Sequence, residues 1–196
     1  MSTRFMVIMC IFVLSVSLSF AGDDLINGRD AAILKLVLNA PCSDGSYRVV
    51  EPEASLGLLT VFNDQFGEQK QFIIREFRAG GWDIPELVDQ LFERNKKAVL
   101  LSLRSSPEHG YVIDYEHRYA KYFTKHGGGW DKWYKENPKA HGVASVSLPA
   151  YDEKSGLVLV CKGVQTQGLS GYGDLILYRY EDGRLTFLHE VNVWRS

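Results

Sequence analysis

The sequence predicts an α+β fold in which N-terminal helices cover one face of a C-terminal, four-stranded antiparallel meander. Three observations lead to this prediction. Residues 84–92 carry apolar side chains at helical spacing, and residues 157–161 form a continuous apolar run that is typical of a central strand. Asp182-Gly183 separates two strand-like segments, and this dipeptide favours a two-residue hairpin because both turn positions take positive φ.

The first 21 residues have the three parts of a cleavable signal peptide. Arg4 precedes an apolar run over residues 5–14, and Ser19-Phe20-Ala21 places small residues at the two positions that signal peptidase reads. We therefore expect cleavage before Gly22, a secreted or periplasmic protein, and a single globular domain over residues 22–196. An uncleaved membrane anchor is the alternative, and the short, serine-interrupted apolar run disfavours it.

Composition limits the classes of partner. The chain has a net charge of −2 and is 45% hydrophobic, with charges of both signs interspersed. These values predict a folded domain that binds no nucleic acid and has no membrane span after signal cleavage. The histidines show no zinc-ligand spacing, and no glycine cluster follows the strand-to-helix pattern of a dinucleotide site. We predict no catalytic residue, no metal and no cofactor.

The first half of the chain predicts helices and short strands. Residues 30–38 favour a helix that ends at Asn39-Ala40-Pro41, and residues 47–50 favour a strand, whereas residues 55–77 are compatible with either. A further helix follows Asp83, which we interpret as its N-cap, with a proline in the first turn. Residues 98–103 predict another strand. An aromatic stripe at helical spacing comes next, and such a stripe more often belongs to a core than to a ligand cage; it consists of Tyr115, Tyr119, Tyr122 and Phe123.

The last third predicts the meander. Residues 143–150 alternate between apolar and polar side chains, as a strand does. In the hairpin, pairing Glu181 with Arg184 sets the register of all later pairs. The pairs that follow share one face of the sheet, so that the histidine becomes an interior residue; they are Tyr180 with Leu185, Tyr178 with Phe187, and Ile176 with His189.

Two cysteines would remain after signal cleavage, since Cys10 lies within the signal. In an oxidising compartment Cys42 and Cys161 could form a disulfide across a loop of more than a hundred residues. The alternative is two separate thiols, with Cys161 acting as a small apolar residue of a buried strand. The sequence favours neither reading.

Residues 126–130, His-Gly-Gly-Gly-Trp, match the oxyanion loop of α/β-hydrolase lipases and esterases. Such an enzyme also needs a G-x-S-x-G nucleophile elbow, and the nearest approach, residues 168–172, lacks the last glycine. A structural interpretation explains more, because Gly-Gly-Trp-Asp occurs at both 80–83 and 128–131, and each copy precedes a helix-like segment. We expect flexible glycines followed by a capping aspartate.

The connection from Val164 to Tyr172 is the candidate recognition site. It combines glycines with hydrogen-bonding side chains and an aromatic ring at the mouth of a hairpin. An ordinary wide loop is the alternative. The candidate binding residues are Gln165, Thr166, Gln167, Ser170, Tyr172 and, from the glycine motif, Trp130.

A spaced pattern of glycines and aromatics runs through the last 115 or so residues. It includes residues 129–130, 133–134 and 137–138, the strand 157–160, and the glycines from 168 to 173, with a likeness upstream over residues 87–96. This order resembles a group of exported bacterial proteins without an established activity, whose loop usually reads C-G-x-L-C-G-x-G before a terminal hairpin. Thr166 and Ser170 stand where that pattern has cysteines. The resemblance implies bacterial export and this architecture, and it transfers no catalytic residue.

The leading functional hypothesis is an exported, non-enzymatic domain that binds another protein, for example a periplasmic inhibitor or immunity protein. One alternative is a small secreted hydrolase with a site near His126, Asp131 and His141. Another is a cell-wall or carbohydrate binder that uses exposed tryptophans, the candidates being Trp82, Trp130 and Trp133.

Overall fold

The computed structural model describes residues 26–39, 43–56, 66–168 and 170–195. Within these ranges it contains four α-helices, which are α1 (Gly28–Leu38), α2 (Phe66–Ala79), α3 (Pro85–Arg94) and α4 (Gly129–Glu136). The strands are β1 (Tyr47–Val50), β2 (Glu53–Ala54), β3 (Val99–Leu100), β4 (Tyr111–Ile113), β5 (Ala140–Val146), β6 (Ala150–Asp152), β7 (Leu157–Gln167), β8 (Ser170–Glu181) and β9 (Arg184–Arg195). The α+β class is confirmed. The predicted signal peptide and Cys42 lie outside the described residues.

The main sheet is mixed and has seven strands. Its order is β4-β1-β5-β7-β8-β9, and β6 also pairs with β7. Strand β1 runs parallel to both β4 and β5, whereas every other pair in this sheet is antiparallel. Strands β7, β8 and β9 form the meander. The predicted count of four strands is not exact, because β6 intervenes along the chain between β5 and β7.

Helices cover both faces of the sheet, not one as predicted. Along β7, Val158 and Val160 join α1 in one apolar cluster. The alternate residues Leu159 and Cys161 join α2 and α3 in a second cluster. This alternation confirms the prediction that residues 157–161 form a central strand covered on both sides.

Helices α1, α2 and α3 can be compared with the predictions made from the sequence. Helix α1 begins where predicted to within two residues, and the Asn27 side chain accepts a hydrogen bond from the Asp30 N–H at 2.8 Å. Helix α2 begins within the undecided segment 55–77 and ends two residues beyond it. Helix α3 buries its predicted apolar stripe, but its N-cap is Ile84 and makes no side-chain cap. Asp83 forms an ion pair with Arg78 at 2.7 Å instead, so the predicted capping role of Asp83 is wrong.

The β8–β9 hairpin has the predicted turn, with φ of 51° at Asp182 and 73° at Gly183. Tyr178 lies opposite Phe187, as predicted. The pairing of Ile176 with His189 is wrong, because a register shift beyond Tyr178 places His189 opposite Leu177. The histidine consequently faces the α2 side of the sheet, where its ring contacts Phe77 at 5.6 Å between centroids.

The middle of the chain differs most from the sequence-based prediction. The strand predicted over 98–103 is reduced to β3, which pairs with β2 in a separate small sheet. The aromatic stripe forms no α-helix, since residues 120–123 make a single 3₁₀ turn. Tyr122 is buried, but Tyr115 and Phe123 are 44% and 43% exposed, so the stripe is not a core face. Strand β4 was not predicted.

The strand predicted over 143–150 is interrupted after Val146. At this interruption the side chain of Asn95, at the end of α3, forms hydrogen bonds with the backbone of Leu148. Its Oδ1 accepts from the Leu148 N–H at 2.7 Å, and its Nδ2 donates to the Leu148 carbonyl at 3.0 Å. Arg94 donates to the neighbouring Pro149 carbonyl and forms an ion pair with buried Asp30 of α1. Arg94, the last residue of α3, and its C-cap Asn95 therefore hold the break in the sheet. In the described ranges, no helix is both long and apolar enough to cross a membrane.

Candidate functional site

A groove with a volume of about 320 Å³ lies against the edge of the sheet formed by β1 and β4. Its floor consists of Tyr47, Val49 and Val112. Val49 and Val112 are neighbours across the two parallel strands. Because side chains alternate along a strand, Val50 points instead into the α1 cluster. The floor is therefore the face of β1 and β4 that is turned away from α1.

The segment that follows β4 forms one wall of the groove, and Asp114 determines its shape. This buried carboxylate accepts hydrogen bonds from the backbone N–H groups of Arg118 and Tyr119, each at 2.9 Å. His117 adopts a positive φ of 50° in the same turn. This arrangement carries Tyr115 and Tyr119 to the groove lining. The Asp114 carboxylate thus stabilises the conformation of this loop through hydrogen bonds within the protein.

Helix α4 and the 3₁₀ turn before it form the opposite wall. Trp133 lines the groove and is only 1% exposed, because Trp130 and Tyr134 pack around it at centroid distances of 5.3 and 4.8 Å. Phe123 contacts Trp130 at 4.7 Å and extends this aromatic cluster to the surface. Three of the four predicted aromatic residues therefore line the groove, Tyr115 and Tyr119 on one wall and Tyr122 on the other.

Several polar groups of the groove already have partners within the protein. Glu116 and Arg118 form an ion pair at 2.6 Å. The Tyr122 hydroxyl donates to Glu136 at 2.6 Å, and the Asn137 amide donates to the Trp133 carbonyl at 2.9 Å. What these groups leave for a ligand is mainly aromatic and aliphatic surface.

Burial also affects the ionisable groups beside the groove. It raises the pKa of the Glu51 carboxyl, although a hydrogen bond from the Tyr119 hydroxyl at 3.3 Å acts in the opposite direction. The pKa of Tyr119 is raised, first by burial and then by the charge of Glu51. Burial is the first cause of both shifts, and it favours the neutral form of each group.

The predicted recognition connection is not a wide loop. Strand β7 continues to Gln167 and β8 begins at Ser170, so the two strands remain paired almost to the turn. Gln165 lies opposite Gly171, whereas Tyr172 lies opposite Val164. These adjacent pairs place Gln165 and Tyr172 on opposite faces of the sheet.

The structure connects one predicted residue outside this hairpin to its tip. Trp130 stacks on Tyr134 with centroids 5.8 Å apart, and the Tyr134 hydroxyl donates to the Thr166 carbonyl at 2.6 Å. Across the hairpin, the hydroxyl groups of Thr166 and Ser170 are 3.2 Å apart. These are the two positions at which the resembled pattern has cysteines. None of the six predicted binding residues lines the groove.

The glycines of β8 have a packing role. A Cβ added at Gly173 would overlap the Trp194 indole, and one added at Gly171 would lie 2.8 Å from the same ring. The tryptophan of β9 therefore lies across both glycines, and β8 can carry no larger side chain there.

The residues of the hydrolase alternative lie outside the groove. Among the described residues, the side chains of His126, Asp131 and His141 make no hydrogen bond to one another, and none of the three lines the groove. No group of three or more potential metal ligands occurs among the described residues. Of the tryptophans proposed for carbohydrate binding, Trp133 is buried, so its predicted exposure is wrong.

Cys161 is a free thiol in this structure and lies in the core beside α2 and α3. Burial raises its pKa to about 12, which keeps the thiol protonated and unreactive at neutral pH. The disulfide reading is thus not supported, and the residue behaves as the small apolar side chain of the alternative reading.

The groove residues were missed because they come from separate segments of the chain. Tyr47, Val112 and Trp133 are brought together only by the parallel pairing of β1 with β4 and by the packing of α4. The sequence contains one local signal for the groove, the aromatic stripe of Tyr115, Tyr119, Tyr122 and Phe123. The sequence favours a core role for this stripe, whereas its first three members line the groove.

No family model matches the chain, and no curated protein or solved structure matches it either.

Proposed function

We propose that this chain is an exported, non-enzymatic domain that binds a protein partner, and that the groove between β4, β1 and α4 accommodates apolar side chains of that partner. A periplasmic inhibitor or immunity protein would act in this way. The observation that carries the proposal is the groove itself, which has an apolar floor at Val49 and Val112 and an aromatic wall at Tyr115 and Tyr119. Recognition sites combine apolar and aromatic surface with a few placed polar groups.

The chemistry of the groove favours a protein over a carbohydrate. Sugar hydroxyls need several free acceptors and donors, since a buried polar group left unpaired is costly. Here the buried Asp114 carboxylate already accepts from two backbone N–H groups, and the Glu116–Arg118 ion pair is exposed to solvent. A peptide side chain such as Leu or Phe needs no such partners and gains about 1.5–3 kcal/mol from burial.

A site-specific photo-cross-link tests the proposal. The residue p-benzoylphenylalanine replaces Val112 at the groove floor, and in a control chain it replaces Thr186, an exposed strand position on β9. Both chains are expressed in the native host and irradiated. We expect a discrete protein adduct from position 112 and none from position 186.

A competing variant strengthens this experiment. Val112→Trp fills the groove, whereas Thr186→Trp adds the same ring to an exposed position. We expect only Val112→Trp to abolish co-purification of the cross-linked protein, with melting temperatures measured for both. Equal adducts from positions 112 and 186, no adduct from 112, or binding on a glycan array that Val112→Trp removes would each overturn the proposal.

A further inference from the structure

Three lysines surround Glu136 at the end of the groove formed by the 3₁₀ turn and α4. Lys132 and Lys135 lie on α4 four residues and one residue before Glu136, and Lys121 lies over the ring of Tyr122, whose hydroxyl donates to Glu136 at 2.6 Å. The charges of all three lysines lower the pKa of the Glu136 carboxyl, after the hydrogen bond from Tyr122. All three lysines are exposed. One carboxylate among three ammonium groups leaves this cluster with a net positive charge.

The lysine cluster is continuous with the groove. Lys121 and Tyr122 line the groove directly, and the Lys121 ammonium lies over the Tyr122 ring at 4.8 Å from its centroid. The same Tyr122 hydroxyl reaches Glu136 at the centre of the cluster. A segment whose apolar side chain enters the groove would therefore place its neighbouring residues beside these lysines.

The charge of this region is opposite to that of the whole chain. Residues 118–139 contain six lysines and arginines but only two acidic residues, whereas the chain as a whole has a net charge of −2. Within the groove lining, Asp114 and Glu116 offset Arg118 and Lys121, so the excess positive charge lies beside the groove, on the 3₁₀ turn and α4. Such local complementarity selects partner and orientation more than it adds affinity.

We infer that the partner segment is an acidic peptide with an apolar anchor, in which a large apolar side chain enters the groove and flanking Asp or Glu residues contact Lys121, Lys132 and Lys135. This inference rests on the proposed function, because it names the chemistry of the partner for the same groove. A polyanion such as an acidic polysaccharide is the competing ligand, and it would need the lysines but not the groove.

Peptide display provides a test that needs no knowledge of the natural partner. Random dodecapeptides are selected on the intact mature domain, and the recovered sequences are compared with those from Val112→Trp. We expect the parent to enrich peptides that combine Asp or Glu with Phe, Trp or Leu. We expect Val112→Trp to lose this enrichment.

Affinity measurements on one selected peptide then separate the two contributions. The triple variant Lys121→Glu, Lys132→Glu, Lys135→Glu should bind about tenfold more weakly, that is by about 1.4 kcal/mol in total, because exposed ion pairs contribute little each. The control Lys35→Glu, Lys97→Glu, Lys154→Glu changes three lysines that are also exposed, has the same net charge and should bind like the parent. Circular dichroism melting confirms that both variants fold.

The possible failures are distinguishable. Selected peptides that need Val112 but are neutral or basic, or that bind equally to both triple variants, would overturn the acidic character and leave the groove proposal standing. Binding of polyglutamate without apolar residues, unaffected by Val112→Trp, would show a polyanion site and overturn the inference. No selection on the parent would count against both the groove and its acidic partner.

Discussion

At the scale of single residues, the glycines of β8 allow a tryptophan of β9 to pack directly against the strand backbone. Gly171 and Gly173 make room for the Trp194 indole, which lies on the adjacent strand. A glycine in a strand interior is otherwise unfavourable, and an aromatic cross-strand neighbour offsets this loss by covering the exposed backbone. The spacing of these two glycines is therefore a requirement of the tryptophan and not a feature of a phosphate-binding loop.

Substitution of Gly173 tests this packing. Gly173→Ala should lower the free energy of unfolding by about 1–3 kcal/mol, because the added methyl group overlaps the Trp194 ring. Gly168→Ala is the matched control, since a Cβ there meets no atom within 4 Å, and its effect should stay within about 0.5 kcal/mol. Chemical denaturation measures both values. Equal effects of the two substitutions would contradict the role assigned to Trp194.

Lys162 is an ionisable residue of the central strand β7. Its ammonium group donates to the Val37 carbonyl at 3.2 Å, near the C-terminus of α1, where a cation is favourable. Burial and the charge of Arg48 lower its pKa from 10.5 to about 8, although Asp174 acts in the opposite direction. The folded protein thus releases this proton more readily than the unfolded chain does.

The sign of the resulting pH dependence follows from that difference. Between pH 8 and pH 10.5 the unfolded chain retains the proton that the folded protein has lost, so the contribution of Lys162 to stability increases as the pH rises. Tyrosines with raised pKa values act in the opposite direction at the upper end, so a comparison with Lys162→Met is needed. We expect the parent to gain stability relative to Lys162→Met between pH 7.5 and 9.5 in urea denaturation. A constant difference between the two proteins would contradict the shifted pKa.

At the scale of elements, the start of α4 explains the glycine motif. Gly128 is the N-cap of this helix and has φ of 87°, and Gly129 follows with φ of 63°. Asp131 lies inside the first turn and does not cap the helix, so the capping part of the prediction is wrong. Gly128 and Gly129 form the predicted turn into the helix, whereas Asp131 only interacts favourably with the helix dipole.

Two variants separate this structural role from oxyanion chemistry. Gly128→Val should lower the melting temperature, because a β-branched residue resists positive φ and its Cβ would lie 2.8 Å from the Lys132 side chain. His126→Ala should leave the melting temperature unchanged, since this side chain is exposed. Thermal melting and ester hydrolysis are measured for both beside the parent. A parent that hydrolyses esters, with both variants inactive yet equally stable, would instead support the hydrolase alternative.

Local signals allowed the elements to be predicted, whereas their assembly depends on distant contacts. The Asp182-Gly183 turn and the apolar stripe of α3 each depend on residues that are close together in the sequence, so both were predicted correctly. The bulge that moves His189 to the other face leaves no local mark, because one extra residue in a strand changes register without changing composition. The groove depends on the pairing of Val49 with Val112, which no pattern in either strand specifies.

At the scale of the whole molecule, the predicted export can be tested directly by the position of the mature N-terminus. The predicted cut before Gly22 lies shortly before α1, which begins at Gly28 and is capped by Asn27. Removal of residues 1–21 should therefore leave this helix and its cap intact. N-terminal sequencing of exported material should begin at Gly22, and a sequence that began at Met1 or Ser2 would contradict the cleavage.

The position of β1 within the sheet has a consequence for how the chain folds. This strand lies between β4 and β5, so its two neighbours are made roughly 60 and 90 residues later in the sequence. When the complete chain refolds, residues 47–50 can pair only after one of these long loops has closed, whereas a two-residue turn joins β8 and β9. We expect the C-terminal hairpin to form early and the insertion of β1 to limit the folding rate, because closing the longer loops costs more entropy. In such an order of assembly, the groove is among the last features of the molecule to appear.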